Sequence, residues 1–526
     1  MASLREQGWL LPRSLDRGEP PSVTPVGTID ADRPASVDDR GLVSLGRWSL
    51  DWWIGADDRW HLPAREAAVR QRLVGAAPVV ETAVRIPSGD ALHRVFGVRG
   101  PPFAATAGGS DQYLVVEVEN ASPVPFALAL VVRPFTSDHV TAIDEITVAP
   151  TRGGQGRDQA HVVSLDATPA LLLPRAPSRA ATGSARSGDL AEVVTTGGAT
   201  GTFAETRDAE GVATAAFLFP VPHTAVLRVV LPLGARRRSP TDPMMAYPQA
   251  LPDAGQVAHG WALQTRGCPE IEGPDSRLAE GVAACQRRLL LGPDPEGLAA
   301  SAGRVRALDR EGLHDEAATV LASWPERMSG CRLPPPAAVA VLAAGVDPWR
   351  LTRDSGLAEA LLPELVAALR AVERTPRSLL PRPGAAVGVD AMAVDAVEGM
   401  ADLLSALGQS ASAARVAEIT VSFGPMPRVV TPRWSELDDL VRSASPTWSW
   451  PEGTTISAPG SCPSSARCSW PSRARPSPCS RPGSGPGTAR GWPCATPRHD
   501  GAASGSRCAG TATARPCSGS SNSMRA

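Results

Sequence analysis

Apolar positions in the first half of the chain fall into short β-branched and aromatic runs separated by turn residues. The runs 79–86, 92–98, 113–119, 126–133, 143–148, 190–195, 213–219 and 224–231 predict strands. Residues 113–119 alternate, placing Glu117 and Glu119 on one face and Val116 and Val118 on the other. Pro87, Ser88, Gly89 and Asp90 form a turn between two of the runs and predict a hairpin, and 120–125 turns the chain again before Phe126. Many short strands punctuated in this way predict a β-sandwich over residues 1–235.

Beyond residue 270 the period changes. Leu278, Val282, Cys285 and Leu289 recur at helical spacing within 275–291, with Asp275 or Ser276 placed to cap and Glu280 in the first turns. A second helix is predicted over 296–310, closed by Gly312 as a C′ residue, and 313–323 returns antiparallel to it. Further helices fit 336–344, 357–372, 389–407 and 412–421. Pro363 should kink its helix or start it afresh. Proline-rich joints such as Leu333-Pro-Pro-Pro336 separate the pieces. The array has no strict repeat and fits part of an α/α toroid or an α-solenoid. The expected fold is therefore multidomain α+β: a β-sandwich (1–235), a linker (236–269), a partial α/α-hairpin toroid (270–456) and a disordered tail (457–526).

Composition changes the picture mainly at that tail. The chain has no lysine, so all 52 basic residues are arginine, the imprint of GC-rich coding. From Ser457 onward Ser, Pro, Arg, Cys, Gly and Ala dominate and apolar periodicity disappears. Nine arginines face only Asp500, a net of +8, which leaves about −10 on residues 1–456 of a chain whose total is −2. A nucleic-acid arm, a disordered linker and a lost reading frame all produce a basic stretch. Six of the nine cysteines and two tryptophans lie there, and disordered tails are ordinarily poor in both. A one-base shift of GC-rich codons for 507–520 reads as two apolar strand-like runs around a polar turn. We therefore read the tail as out of frame, with no nucleic-acid partner.

No apolar stretch reaches the roughly 18 residues of a membrane span, and the start lacks the pattern of a signal peptide, so a cytoplasmic protein is expected. Cys268, Cys285 and Cys331 are too scattered for a disulfide framework or zinc site. There is no P-loop and no HExxH motif, and no cofactor or metal is implied. Asp138-His139 has no visible triad partner.

Two tryptophan groups carry the remaining chemistry. Trp48, Trp52, Trp53 and Trp60 are interleaved with Asp51, Asp57 and Asp58. Aromatic faces beside carboxylates grip sugars, although tryptophan more commonly anchors a core. Trp434, Trp448 and Trp450 follow a helix bearing Asp390, Asp395 and Glu398. Asp395 and Glu398 are three apart and share a helix face. Glycoside hydrolysis commonly needs two carboxylates, about 5–5.5 Å apart for retention and about 6.5–9.5 Å for inversion. Asp395 and Glu398 are thus the candidate catalytic pair, with Trp52, Trp53, Trp448 and Trp450 as candidate substrate platforms. Glu436, Asp438 and Asp439 form a further acidic group; a solvated helix face is the plainer reading of both acidic sets.

Val80-Glu-Thr-Ala-Val-Arg85 and Gly89-Asp-Ala-Leu-His-Arg-Val-Phe-Gly97 in the β part resemble a known family. So do Ala307-Leu-Asp-Arg-Glu-Gly-Leu-His-Asp-Glu-Ala-Ala318 and Ser445-Pro-Thr-Trp-Ser-Trp-Pro451 in the helical part. The chain resembles the six-hairpin glycosidase superfamily over about 5–451, actinobacterial members of it in particular. The resemblance implies a β super-sandwich, an (α/α)6 toroid and a glucoamylase-like or glycogen-debranching-type activity on an α-glucan or other oligosaccharide. A toroid needs six hairpins, and only about four are present before the frame is lost, so an inactive or poorly folded product is expected. The alternative is a non-catalytic binding or scaffold protein with a helical-solenoid second half. Resequencing the gene across the codons for Trp450 to Ser457 is expected to find a lost or added base. An intact frame there would make the basic tail native.

Overall fold

A computed structural model describes residues 2–31, 33–101, 111–151, 159–201, 205–233, 246–270, 276–374 and 389–423, all within one compact unit, Met1–Ser469. Two short helices, α1 (Ala2–Glu6) and α2 (Arg13–Arg17), precede the strands. In chain order these are β1 (Val23–Val26), β2 (Ala35–Asp38), β3 (Val43–Leu45), β4 (Trp48–Gly55), β5 (Trp60–His61) and β6 (Val69–Leu73). There follow β7 (Val80–Ile86), β8 (Gly89–Gly100), β9 (Asp111–Ala121), β10 (Phe126–Arg133), β11 (Glu145–Pro150) and β12 (His161–Leu165). Then come β13 (Thr168–Leu173), β14 (Arg179–Gly183), the helix α3 (Leu190–Thr195), and β15 (Glu205–Arg207), β16 (Thr214–Val221) and β17 (Val226–Pro232).

The strands make two antiparallel sheets, one of eight strands ordered β1-β2-β3-β4-β10-β16-β14 with β5 paired to β4, the other of nine ordered β15-β11-β12-β13-β17-β9-β8-β7-β6. Their facing sides bury one apolar core, with Trp52, Leu128, Leu130, Phe217 and Phe219 from the first sheet against Val95, Leu114, Val116, Val118 and Val229 from the second. The alternation expected for 113–119 holds: Val116 and Val118 enter this core, while Glu117 and Glu119 lie on the far face and pair with arginines.

Residues 190–195 are helical, which corrects the strand expected there. The β-branched Val193, Val194 and Thr195 favour a strand locally, but Asp189 caps the segment by accepting from the Ala191 amide at 3.0 Å. Leu190, Ala191 and Val194 then pack on the outer face of the eight-stranded sheet with Trp53, Ala129 and Leu218. Tertiary packing outweighs strand propensity at this site.

The helical part comprises α4 (Ala254–Gln264), α5 (Ser276–Leu290), α6 (Leu298–Arg310), α7 (His314–Ala322), α8 (Trp324–Met328), α9 (Pro335–Thr352), α10 (Ser355–Glu373), α11 (Val389–Ala406) and α12 (Ser410–Phe423). α4 falls inside the stretch read as a linker. It opens with a capping box between Asp253 and Gln256 and packs against β8. Gly312 follows α6 with φ +77°, as its C′ role requires. α10 runs unbroken through Pro363, whose exposed position leaves the freed backbone carbonyl to water. α9 extends past the expected Ala344 to Thr352 and is buried nearly all round, packed by α6, α7, α10 and α11. No described helix is long and apolar enough to cross a membrane.

The β and helical parts share a core. Phe96, Val98, Tyr113, Val115 and Val230 on the outer face of the nine-stranded sheet join Trp261, Leu290, Val305, Trp324 and Leu342 in one apolar cluster.

At the other sheet, Arg133 is fully buried. It donates to Asp189 at 2.7 and 2.8 Å and to the Leu10 carbonyl at 2.7 Å. Its guanidinium lies 4.7 Å from the Phe135 ring centroid, 5.6 Å from Trp53 and 5.7 Å from Trp9. Burial opposes ionisation of Asp189, but Arg133 beside it prevails and holds the carboxyl below its ordinary range. Arg133→Ala is expected to destabilise by about 3–5 kcal/mol, because it strands a buried carboxylate. Urea unfolding of Arg133→Ala and of Arg133→Met/Asp189→Leu checks this. The double variant should recover much of the loss, and equal losses would refute the account.

Candidate functional site

The sequence-predicted residues separate in space. On β4, Trp52 points into the sandwich, stacks on His93 with ring centroids 4.6 Å apart and 15° between planes, and donates its indole N–H to the Arg40 carbonyl at 3.1 Å. Trp53 points the other way and donates to Asp51 at 2.9 Å beneath Arg133. Both rings are 0% exposed, so neither has a face for a sugar, and the expectation that they form a substrate platform is corrected: they anchor the core. Trp434, Trp448, Trp450, Glu436, Asp438 and Asp439 lie outside the described residues.

Asp395 and Glu398 both sit on α11. The Asp395 carboxylate is engaged by Arg350 of α9 at 2.9 Å, and the same guanidinium reaches Asp402 at 3.9 Å. Gly399 makes this possible, since a Cβ there would meet Val346 at 2.5 Å and the Arg350 guanidinium carbon at 2.6 Å. Glu398 is half-buried. Neither acid lines the grooves described below; Asp395 serves to tie α9 to α11.

Asp138 and His139 also resolve into local structure. His139 Nδ1 lies 2.7 Å from Asp138 and 3.0 Å from the hydroxyl of the buried Thr136, all within one turn.

Trp60 is the member of the first tryptophan group that reaches a cavity. β5 pairs with the end of β4, setting Trp60 opposite Gly55, and the indole lies over that glycine, about 3.0 Å from where a Cβ would stand. The short β4–β5 loop is braced beneath it. The buried ring of His61 sits 3.0 Å from Asp58 and 3.3 Å from Glu66, and Arg59 grips Glu66 at 2.5 and 3.1 Å. The hydrogen bond from Arg59 outweighs partial burial and holds the Glu66 carboxyl below its ordinary range.

The result is an open groove of about 420 Å³ on the outer face of the eight-stranded sheet. Its floor is a row of small side chains in register across three strands, Gly55, Ala127 and Pro220. Trp60 and Asp57 form one wall; Val194, Gly197, Ala199 and Arg179 form the other. β4 and β14 are three strand spacings apart, so the groove spans about 14 Å from the edge of β4 to Arg179 on β14. This is an apolar concavity with one half-buried aromatic and a few polar groups at its ends, the ordinary form of a small-molecule site. The sequence carried a signal for it in Trp60 and Asp57; Arg179, Ala127 and Gly197 had none.

A second groove, of about 640 Å³, lies on the outer face of the nine-stranded sheet beyond the helices. Arg72, Glu81, Arg94, Glu117 and Arg228 face one another directly across five strands, in alternating charge. Arg72 and Arg94 hold Glu81 at 2.6 and 2.7 Å, Arg94 reaches Glu119 at 2.5 Å, and Arg228 holds Glu117 at 2.5 and 2.9 Å. Burial pushes Glu81 upward, yet the two arginines hold it below its ordinary range. A carboxyl so held is a poor general acid.

No protein-family profile matches the chain, and no curated protein does. The solved structure of a bacterial glucoamylase complexed with acarbose is similar at a TM-score of 0.47 and 10% identity, over 77% of this chain and 67% of that one. At that score the likeness carries no argument about activity.

His93, stacked beneath Trp52, generates a test of the buried β4 tryptophan. Burial pushes its pKa down to about 3 from an ordinary 6.5. The folded chain therefore refuses a proton that the unfolded chain accepts, and stability falls as pH drops from 6.5 toward 3, by up to about 1.4 kcal/mol per pH unit. His93→Phe keeps a ring against Trp52 and removes this loss. Between pH 6.5 and 5.0 the wild type should lose about 1–2 kcal/mol more than the variant in urea unfolding. Comparison with the variant cancels the opposite contribution of Asp38, whose carboxyl burial pushes up to about 7. Parallel losses would refute the assignment.

Proposed function

We propose that the chain is a carbohydrate-active protein that, in the form described, binds an oligosaccharide on the outer face of its eight-stranded sheet without hydrolysing it. The observation that carries the reading is Trp60 over Gly55, an aromatic wall beside a floor of small residues, with Asp57 at the same end to accept hydroxyl hydrogens. A pyranose ring offers a C–H face to stack on an indole and hydroxyls for a carboxylate. The sequence resemblance to six-hairpin glycosidases supports the same ligand class.

Catalysis has weaker support. Hydrolysis by the usual route needs one carboxyl kept protonated and a second carboxylate across the scissile bond. Asp57 is the lone carboxylate of the Trp60 groove. In the second groove Glu81 and Glu117 are held by arginines and Asp253 caps α4, while Asp395 is engaged by Arg350.

Isothermal titration of the full chain with a panel of neutral oligosaccharides is expected to show binding without release of reducing ends. Trp60→Ala should weaken it at least about tenfold, as loss of a buried aromatic contact does. Thermal unfolding of the same variant checks that the sheet persists. Absence of binding across the panel, or affinity unmoved by Trp60→Ala, would sink the reading.

A further inference from the structure

We propose that the Trp60 groove prefers oligosaccharides carrying ionised carboxylates, uronides by chemical class, and that Arg179 is the residue that selects them. The inference rests on the reading of this groove as an oligosaccharide site.

Arg179 opens β14, two residues before Ala181, so strand alternation puts both on the outer face; Ala181 packs there under α3, while Ala180 enters the sandwich core. Arg179 stands where the α3 cover ends, and lines the groove. Three other arginines near this face are committed. Arg133 is bound to Asp189, Arg59 to Glu66, and Arg175 donates to the Pro220 carbonyl at 3.0 Å while lying 5.8 Å from the Phe219 ring centroid. Arg179 makes no side-chain hydrogen bond or ion pair with any described residue, and neither does Asp57 on the facing wall. The groove thus presents an uncommitted guanidinium at one end and an uncommitted carboxylate at the other, with the apolar floor between them.

That arrangement is polar in a directional sense. A carboxylate-bearing sugar is attracted to the β14 end and repelled from the β5 end, which sets its orientation. At Arg179 it meets two parallel N–H donors in the planar geometry that carboxylates accept. The opposite end, with Trp60 and Asp57, suits an uncharged ring with free hydroxyls. A neutral oligosaccharide fills the same floor and leaves Arg179 hydrated, so it binds without the charge-assisted bonds. A chain with acid groups on every ring gains at one end more than it loses at the other, because Arg179 adds charge-assisted hydrogen bonds to the attraction whereas Asp57 acts by repulsion alone through solvent.

The experiment is titration of the full chain with tetragalacturonate and with maltotetraose, for the wild type, Arg179→Gln and Trp60→Ala, at low and high salt. Tetragalacturonate is expected to bind about tenfold more tightly than maltotetraose at low salt. The preference should shrink at high salt. Arg179→Gln should abolish it without lowering the thermal midpoint, since the side chain is exposed and makes no bond to any described residue. Trp60→Ala should weaken both ligands. Equal affinity for the two ligands in the wild type, or a preference that survives Arg179→Gln, overturns the assignment of Arg179 while leaving the groove reading intact. If neither ligand binds, the groove reading falls and this inference with it.

Discussion

The guanidinium of Arg133 lies wholly out of water, between three aromatic rings, and its ionic partner Asp189 is almost as deeply buried. An ion pair in such a place is tolerable only if its remaining hydrogen-bonding capacity is also met. Asp189 meets it on the acidic side, and Arg133 leaves Nε alone without a partner among the described residues. One carboxylate oxygen accepts from Arg133 and the Ala191 amide, the other from Arg133 and the Leu10 amide. The pair therefore joins three pieces of chain distant in sequence: the N-terminal segment, β10 and the start of α3. The N-terminal segment and α3 cover the outer face of the eight-stranded sheet, to which β10 belongs. Where the cover stops, beyond Val194 and before Trp60, the sheet is left open as the apolar groove.

The nine-stranded sheet solves a related problem differently. Its outer face is apolar along one end of β8, β9 and β17, and the helices take that end into a common core. Toward the other end the same strands carry alternating arginines and glutamates in direct register. Such a row needs no covering layer, because each charge is neutralised by its cross-strand neighbours while water reaches the rest. The boundary between apolar and charged halves sets where the helical part stops, and α4, capped by Asp253, stands at that boundary.

These two faces bear on function in opposite ways. The charged row is self-satisfied: its carboxylates are bound by arginine, and that of Glu81 is held below its ordinary range, which suits structure more than proton transfer. The uncovered face beside Trp60 has two polar groups committed to nothing else. Binding follows from concavity, an aromatic wall and free polar ends, whereas hydrolysis requires a matched pair of carboxyls with opposed protonation states.

Several features were legible in the sequence because they depend on local pattern. The strands 79–86 and 126–133, the outward glutamates of β9, the α6–Gly312–α7 hairpin and the α+β order are set by side-chain period and turn chemistry acting over a few residues. The Trp-carboxylate group near Trp60 was visible as composition, but not which tryptophan faces outward. Alternation along β4 puts Trp52 and Trp53 on opposite faces, and both faces happen to be covered, one by the second sheet and one by Arg133 and the N-terminal segment. Only tertiary structure decides that, since burial of a strand position depends on what packs above it. For the same reason 190–195 became a helix, Asp395 met Arg350 through the gap left by Gly399, and Arg179 came to face Asp57 across strands far apart in sequence. Period and turn chemistry act between neighbours in the chain and can be read in order. Covering layers, ion-pair partners and the walls of a groove are brought together by long-range contacts that no local pattern encodes.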